Sequence, residues 1–377
     1  MLGATRPGGR EALRDDFLVR LVSAYGPRNL SKIARRLGVS RETVVRAYAR
    51  LGAEGLGPRP NIRMEKLGLG RFMAFAKPGR EGRQQQLDSL FNLMGDYAYL
   101  EHYQKLDPYN VYLLIFTIPP ELLPRLGDFL NMAEDGSILH AGRPVPLSWV
   151  RYHSIRAPWK NVGSLEQVTS GPLTYVPEGE TEIGRPKLDY GELLVLSALQ
   201  AGPNANLAGL VKTVTKWAEN GYEGPKDCVS DPSYDWNRRL RGAMRFVDSF
   251  PMHLSRGEPD LTRRKRHHWA SFTLWWEGLG RNEITRSAMA STSIPYLRTD
   301  GASVESGSYF SIFSAPSGLI PGYLDFLSHN APEGMNVAFP SLFSNFSLPF
   351  PSFSLEEGHW TWQKERTQSL LTTLQTA

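Results

Sequence analysis

The chain has 377 residues, of which 41% are hydrophobic and 21% charged, and its composition is typical of a globular protein with two to four domains. No run approaches the roughly 18 uncharged apolar residues of a membrane span, and the N-terminal stretch lacks the apolar region of a secretory signal. The single cysteine, Cys228, excludes an intrachain disulfide and indicates a reducing, cytoplasmic location.

The net charge of +5 is unevenly distributed along the chain. Up to Lys66 there are fourteen Lys and Arg residues against six Asp and Glu residues, so the remainder of the chain is slightly acidic. A local excess of arginine is typical of a module that binds phosphate groups. Residues 1–14 are predicted to be a disordered basic arm, and a supporting helix with an apolar face that includes Leu18, Leu21 and Val22 is predicted to follow.

Residues 29–51 have the pattern of a helix-turn-helix, in which Gly38 allows a tight turn and Ser40 is a suitable N-cap for the second helix. The second helix is predicted to read the major groove of double-stranded DNA, because its exposed arginines suit phosphates and guanine edges. The predicted DNA-binding residues, within the motif and in the wing after it, are Ser40, Arg41, Glu42, Val45, Arg46, Ala49, Arg50, Arg35, Arg36, Arg59 and Arg63. The alternatives are a helical hairpin used only for packing and a copy that has lost DNA binding.

Residues 64–155 follow the order strand, helix, strand, strand, helix, strand, which is typical of a ferredoxin-like domain. The strands are predicted at 67–78, 97–103, 110–117 and 147–153, and the helices at 84–94 and 119–130. One helical layer on one antiparallel sheet buries enough apolar surface for a stable small domain.

The helix-turn-helix sequence IARRLGVSRETVVRAYARLGAEG, followed by this order with LGLG opening the first strand, resembles the leucine-responsive regulatory protein (Lrp/AsnC) family of transcription regulators. The resemblance covers about 15–153. It implies a DNA-binding helix-turn-helix and a sheet domain that dimerises and often senses amino acids. The chain departs from the family at the Gly-containing turn near the effector site, where it has KLDPYN at 105–110.

The second half of the chain repeats the first after a predicted linker at 156–187. The stretch VYLLIFTIPPELLPRLGDFL from Val111 aligns without a gap with SYFSIFSAPSGLIPGYLDFL from Ser308, with nine identical positions. This similarity predicts a tandem duplication of the two-domain unit. The two sheet domains are expected to pair within one chain, as a pseudo-dimer, or between the chains of a homodimer.

The second unit is predicted to be a divergent helix-turn-helix-like domain at 188–266, with an insertion at 215–233 and a recognition-like helix at 234–250. A second ferredoxin-like domain at 267–355 and a helical tail at 356–377 complete it. Its possible DNA contacts are Arg238, Arg239, Arg241, Arg245, Arg263, Arg264, Lys265 and Arg266. These charges equally fit a solvated face, and the unit could be purely structural.

The sequence predicts no catalytic residue, metal site or cofactor, because no Cys/His pattern has zinc spacing and no nucleotide-binding glycine fingerprint is complete. One enzymatic alternative follows from a second resemblance. Siroheme decarboxylases also pair two Lrp-like units and use histidines and arginines of their sheet domains around a tetrapyrrole; His102, Tyr109 and Asn110 lie in the corresponding region. The second half has no matching histidine there.

The expected fold is therefore α+β, a tandem duplication of a winged helix-turn-helix domain followed by a ferredoxin-like domain. The expected function is that of a sequence-specific, DNA-binding transcription regulator and not an enzyme, with double-stranded DNA as the partner and no membrane association. The alternatives are a siroheme-decarboxylase-like enzyme and a DNA-binding architectural protein.

Overall fold

The computed structural model describes residues 15–53, 56–79, 84–154, 188–202, 204, 206–231, 233–254, 269–346, 348–354 and 358–376. The predicted N-terminal arm and the predicted linker at 156–187 lie outside these residues. No helix among the described residues is long and apolar enough to cross a membrane.

The predicted helix-turn-helix is confirmed. Its helices are α1 (Asp15–Tyr25), α2 (Leu30–Leu37) and α3 (Arg41–Ala53). Ile33 and Val44 are fully buried where α2 and α3 pack together. Gly38 ends α2 with a φ of 68°, and the Ser40 hydroxyl accepts a hydrogen bond of 3.2 Å from the Thr43 amide at the start of α3.

The turn at Gly38 gives a simple stability test. We expect Gly38→Ala to lower the free energy of unfolding by about 1 kcal/mol, because a side chain destabilises a left-handed backbone conformation. Gly52, which is exposed in α3 with open space around its Cα, is the matched control. Gly52→Ala should raise the free energy of unfolding by up to about 1 kcal/mol, since alanine favours helix. Urea unfolding measures the free energy of unfolding of both variants. Equal changes in the two variants would contradict the left-handed turn at Gly38.

The first unit continues with a wing and a ferredoxin-like domain. Its elements are β1 (Leu56–Pro58), β2 (Asn61–Ile62), β3 (Gly70–Pro78), α4 (Gln84–Tyr97), β4 (Leu100–Asp107), β5 (Val111–Ile118), α5 (Leu123–Asp135), β6 (Leu139–Ala141), β7 (Val145–Pro146) and β8 (Trp149–Tyr152). The strand order β6-β3-β5-β4 is that of the predicted fold. Phe91 of α4 and Phe116 of β5 are fully buried between the helices and the sheet.

The second unit begins with four helices and a wing. They are α6 (Tyr190–Ala201), α7 (Leu207–Glu219), α8 (Glu223–Ser230), α9 (Trp236–Ala243), β9 (Val247–Ser249) and β10 (Met252–Leu254). The region predicted as an insertion is therefore largely helical. The recognition-like helix predicted at 234–250 ends at Ala243, because residues 247–249 form a strand that pairs with β2 of the first unit.

The second ferredoxin-like domain contains β11 (Trp269–Trp276), α10 (Arg281–Ser293), β12 (Leu297–Ser303), β13 (Ser308–Pro316), α11 (Ile320–Asn330) and β14 (Asn336–Asn345), and the tail contains α12 (Lys364–Thr376). Its order, β14-β11-β13-β12, repeats that of the first domain. The segment after β14 wraps the first unit: Phe350, Phe353 and Trp360 are buried in the same core as α4 and α6.

The two sheets join within the chain by exchanging their last strands. The start of β14 pairs with β11 of its own domain, and its remainder pairs with β4 of the first unit. In the same way β7 pairs with β3 of its own domain, whereas β8 pairs with β12 of the second unit. The strand predicted at 147–153 is consequently short and separate from β6 and β7, because the chain changes sheets there. The result is a pseudo-two-fold arrangement with an apolar core between the units that includes Ile115 and Ile312.

Candidate active site

A cleft lies where the exchanged strands cross. Its central cavity has a volume of about 280 Å³. A smaller cavity of about 30 Å³ shares Arg59, Tyr152 and Asn345 with the central one. An outer cleft of about 590 Å³ shares Ile62, Met64 and Arg71 with it. Both units and both wings contribute to the walls, so the cleft exists only in the assembled chain.

A charged network from the first unit forms one wall of this cleft. Nε of Arg71 on β3 donates to Oε2 of Glu101 on β4 at 2.9 Å, and the Tyr152 hydroxyl donates to Oε1 of Glu101 at 2.8 Å. The Thr117 hydroxyl also donates to Glu101. Burial disfavours the carboxylate, but the charge of Arg71 and these three donors outweigh burial and lower the pKa of Glu101 to about 2. Glu101 is therefore an ionised structural partner of Arg71 at neutral pH.

His102, next to this network, lines the smaller cavity. Its Nδ1 lies 2.9 Å from Oδ1 of Asn345, and its Nε2 lies 3.4 Å from Oε1 of Gln104. Burial lowers the pKa of His102 to about 4, with smaller contributions of the same sign from the charges of Arg59 and Arg298 and opposing hydrogen bonds to Asn345 and Gln104. His102 is therefore a neutral imidazole at pH 7.

A second buried network fixes the exchanged strand β8 to the second unit. Asp300 on β12 is fully buried and accepts from both Nε of Arg151, at 3.0 Å, and the Tyr309 hydroxyl, at 3.1 Å. Nε2 of His153 lies 2.7 Å from Oδ1 of Asp300. Burial works against ionisation, but His153 and Arg151 together lower the pKa of Asp300. This carboxylate binds the two units together just outside the cleft.

The structure places the predicted DNA-binding residues in two different environments. Those of α2, α3 and the turn are exposed, namely Ser40, Arg41, Glu42, Val45, Arg46, Ala49, Arg50, Arg35 and Arg36. Arg59 instead lines the cleft, and Arg63 forms an ion pair of 3.2 Å with Asp248 of the other wing. The wing arginines therefore contact other parts of the molecule.

The predicted contacts of the second unit are also divided. Arg239 forms an ion pair with Asp189, and Arg245 forms one of 2.9 Å with Glu192, so both link α6 to the region of α9. Arg238 and Arg241 are exposed on α9. The remaining residues of the set, Arg263, Arg264, Lys265 and Arg266, lie outside the described residues.

Of the residues named for the enzymatic alternative, only His102 is in the cleft. Tyr109 and Asn110 form the turn after β4, where the Tyr109 ring packs against Trp275 with a centroid distance of 5.1 Å. Sequence reasoning missed other polar residues of the cleft, among them Arg71, Glu101, Gln104, Tyr152, Arg298 and Asn345. The sequence signal that could have found them is a charged or amide side chain within a predicted strand that is otherwise apolar.

The described residues hold no group of three or more His, Cys, Asp and Glu side chains that could bind a metal ion. Cys228 is buried on α8, and burial raises the pKa of its thiol, which disfavours the reactive thiolate.

The low pKa of His102 predicts an acid-dependent loss of stability. The unfolded chain binds a proton at about pH 6.5, whereas the folded chain binds it only at about pH 4. The unfolded state therefore binds more protons in this window, and we expect the free energy of unfolding to fall by up to about 3 kcal/mol as the pH decreases through it. His102→Gln should flatten this part of the profile in urea unfolding. His140→Gln, at an exposed position, should leave it unchanged, and a profile insensitive to His102 would contradict the assignment.

Two solved structures align with nearly the whole chain. One is the crystal structure of the siroheme decarboxylase NirDL, which covers 98% of this chain and 99% of that chain at 11% identity and a TM-score of 0.46. The other is the same decarboxylase in complex with an iron-uroporphyrin III analogue, which covers 96% of this chain and 100% of that chain at 12% identity and a TM-score of 0.48. No family model and no curated protein sequence matches the chain.

These matches correct the functional prediction made from the sequence. The aligned structures are those of a decarboxylase, so the expectation of a DNA-binding transcription regulator that is not an enzyme, with double-stranded DNA as its partner, is wrong. The predicted fold class is confirmed: the chain is an α+β protein with a duplicated helix-turn-helix and ferredoxin-like unit and paired sheets.

Proposed function

We propose that the chain is an enzyme that binds a polycarboxylate tetrapyrrole of the siroheme type in the central cleft and removes carboxyl groups from it. The observation that carries this proposal is the convergence of a neutral histidine, His102, with Arg59 and Arg298 in a cleft between two Lrp-like units. The resemblance of the duplicated sequence to siroheme decarboxylases supplies the substrate class.

The charges of the cleft suit a polyanionic ligand. No described carboxylate forms an ion pair with Arg59, and Arg298, from the second unit, lines the smaller cavity together with Arg59. Guanidinium groups bind carboxylates through paired, charge-assisted hydrogen bonds. Arg71, in contrast, is held by Glu101, so it contributes to the shape of the wall more than to its net charge.

The apolar lining and the size of the cleft suit a flat ring system. Ile115, Ile312 and Pro340 line the smaller cavity, and Met64 and Phe346 line the central one. The central cavity of about 280 Å³ continues into the outer cleft of about 590 Å³. The volume of the outer cleft falls in the range of about 300–1,000 Å³ that is usual for small-molecule sites, and that of the central cavity lies just below it.

His102 is placed to supply the proton that decarboxylation requires. Burial is the main cause of the low pKa of His102, and the charges of Arg59 and Arg298 add to it. Ligand carboxylates bound at these arginines would place negative charge beside the imidazole and raise its pKa, which favours uptake of a proton from solvent as the ligand binds. The bond between the methylene carbon and the carboxylate then breaks and carbon dioxide leaves. Its electron pair stays on the methylene carbon, which takes the proton from His102 to become a methyl group, and no oxidant is consumed.

The proposal is tested by incubating the protein with siroheme under anaerobic conditions and following the product by mass spectrometry. The expected result is the stepwise loss of carbon dioxide from the tetrapyrrole, together with a shift of its absorption spectrum on binding. A folded protein that neither binds siroheme nor decarboxylates it would overturn the proposal.

A further inference from the structure

Two amide side chains flank the imidazole of His102. Gln104 lies two residues further along β4, on the same face of the strand, and its Oε1 lies 3.4 Å from Nε2 of the ring. Asn345 is the residue paired with His102 in the β14–β4 register, and its Oδ1 lies 2.9 Å from Nδ1. Both ring nitrogens therefore face amide oxygens, which accept hydrogen bonds and do not donate them.

This pair of acceptors distinguishes between the protonation states of the ring. A neutral imidazole carries a proton on one nitrogen only, whereas an imidazolium donates from both. The shorter contact, to Asn345, places the single proton of the neutral ring on Nδ1. The unprotonated Nε2 then faces the Gln104 oxygen without a hydrogen between them, and this contact becomes a hydrogen bond only when Nε2 gains a proton.

The orientation of the Gln104 amide is held from the second unit. Its Nε2 donates to the hydroxyl of Thr273, which lies on β11 and is fully buried. The amide nitrogen is thus directed away from His102, and the amide oxygen stays beside the ring. A rotated amide would instead donate to the imidazole and stabilise its neutral form. Because a buried donor without a partner costs free energy, the Thr273 hydroxyl favours the observed orientation.

The arrangement exists on one side of the pseudo-two-fold axis only. The equivalents of His102, Gln104 and Thr273 in the other copy of the repeat are, in that order, Thr299, Gly301 and Met73. This second set has neither an imidazole that can take up a proton nor an amide that can accept one in a hydrogen bond. All three members of the arrangement are therefore specific to one wall of the cleft.

The other charged and titratable groups near His102 come from several elements. Arg59 from the loop between β1 and β2, Tyr152 from β8 and Arg298 from β12 line the same cavity, and none of the described residues that line it is acidic. The carboxylate of the neighbouring Glu101 is paired within the chain. Burial, followed by the charges of the two arginines, lowers the pKa of His102, and the two amide oxygens oppose this effect.

We propose that Gln104 is a positioning residue that holds the reactive proton on Nε2 of His102, and that Thr273 sets the orientation of the Gln104 amide. In the free protein the imidazole carries its proton on Nδ1. The second proton, taken up as a ligand binds, is added at Nε2 and donates to Oε1 of Gln104. Since Nδ1 stays bonded to Asn345, Nε2 is the atom that gives a proton to the substrate carbon. The inference rests on the proposed function for the use of this proton but not for its place on the ring.

The place of the proton is tested without a ligand, by nitrogen-15 NMR of the full-length protein with labelled histidine at pH 7. The His102 signals are identified by their absence from His102→Gln. We expect a protonated Nδ1 and an unprotonated Nε2. Gln104→Glu, which puts a carboxylate opposite Nε2, should give a ring protonated on both nitrogens. A proton on Nε2 alone in the unmodified protein, or an unchanged ring in Gln104→Glu, would overturn the proposal.

Gln200→Glu is the matched control for the added charge. Gln200 lines the central cavity but not the smaller one that contains His102. Its Oε1 accepts from the Leu348 amide at 2.7 Å, a hydrogen bond that glutamate keeps. The His102 ring should remain singly protonated at pH 7 in this variant. A doubly protonated ring in both glutamate variants would mean that a carboxylate elsewhere in the cleft is sufficient, and would overturn the specific role of Gln104.

Thr273→Val tests the orientation of the amide through the reaction with siroheme. Valine has the shape of threonine without its hydroxyl, so the Gln104 amide can rotate and donate to Nε2 of His102. We expect kcat to fall at least about tenfold while KM stays within a few-fold of the wild-type value. Because the imidazolium is the active form and the rotated amide lowers its pKa, the rate should also begin to fall at a lower pH. Thr273→Ser keeps the hydroxyl and should retain most of the rate.

The two readouts separate this inference from the enzymatic proposal. The expected ring states in the NMR spectra, without binding or decarboxylation of siroheme, would keep the place of the proton and overturn the decarboxylase. Decarboxylation by Thr273→Val with the wild-type rate and pH dependence would keep the decarboxylase and overturn the role of Thr273 and Gln104.

Discussion

Replacing His102 with glutamine is expected to lower the rate of siroheme decarboxylation by about 10²–10⁴-fold, the usual contribution of a positioned general acid. Glutamine can keep a hydrogen bond to Asn345, which lies 2.9 Å from Nδ1 of His102, but it cannot deliver a proton. The affinity for the tetrapyrrole should stay within a few-fold of the wild-type value, since we propose that Arg59 and Arg298 hold the ligand. Single-turnover kinetics under anaerobic conditions separate the two quantities.

His140 provides the matched control for this experiment. It lies on β6, far along the first sheet from the crossing strands, and pairs with Glu134 at 3.3 Å on the surface. His140→Gln should leave both the rate and the affinity unchanged. If His102→Gln keeps its rate, another group supplies the proton. If it loses binding and rate together, His102 is a binding residue.

Replacing Asp300 with alanine is expected to lower the free energy of unfolding by about 3–5 kcal/mol, the usual effect of removing one partner from a buried ion pair. The substitution leaves Arg151 and His153 in a site without a carboxylate, and it also removes the acceptor of the Tyr309 hydroxyl. Because Arg151 and His153 belong to the strand exchanged from the first unit, the loss should also loosen the pairing of β8 with β12. Urea unfolding measures the change in free energy.

An exposed carboxylate in the same domain distinguishes this effect from the loss of any charge. Asp325 on α11 lies 3.6 Å from His329, and both side chains are more than 70% exposed. Asp325→Ala should change the free energy of unfolding by no more than about 0.5 kcal/mol. Similar values for the two variants would mean that the Asp300 network does not hold the units together.

The sequence predicted those parts of the fold that depend on local periodicity. The apolar spacing of α2 and α3, the glycine at the turn and the N-cap serine are all contained within about 25 residues, and each appears as expected. The ferredoxin-like order was also predictable, because each strand and helix carries its own apolar pattern. The repeat from Val111 to Ser308 predicted the second domain in the same way.

The site could not be predicted because no local pattern describes it. Arg71, Glu101, Tyr152 and Asn345 come from four strands, and β14 reaches β4 only by pairing residues more than 200 positions apart. Nothing in the sequence near 336–353 specifies that partner. The arginines of α3, in contrast, are adjacent in the sequence and easily recognised. The functional prediction was therefore based on the helix-turn-helix motif and did not include the cleft, which forms only when the two units assemble.

The exchange of β8 and β14 also determines when a nascent chain can become functional. If the first half folded alone, β4 would be an exposed edge strand that could pair with strands of other chains. That edge is covered only after residue 345 has been synthesised, near the end of the chain. Since the same crossing builds the walls of the cleft, the proposed ligand site forms and the edge of β4 is covered in a single late step.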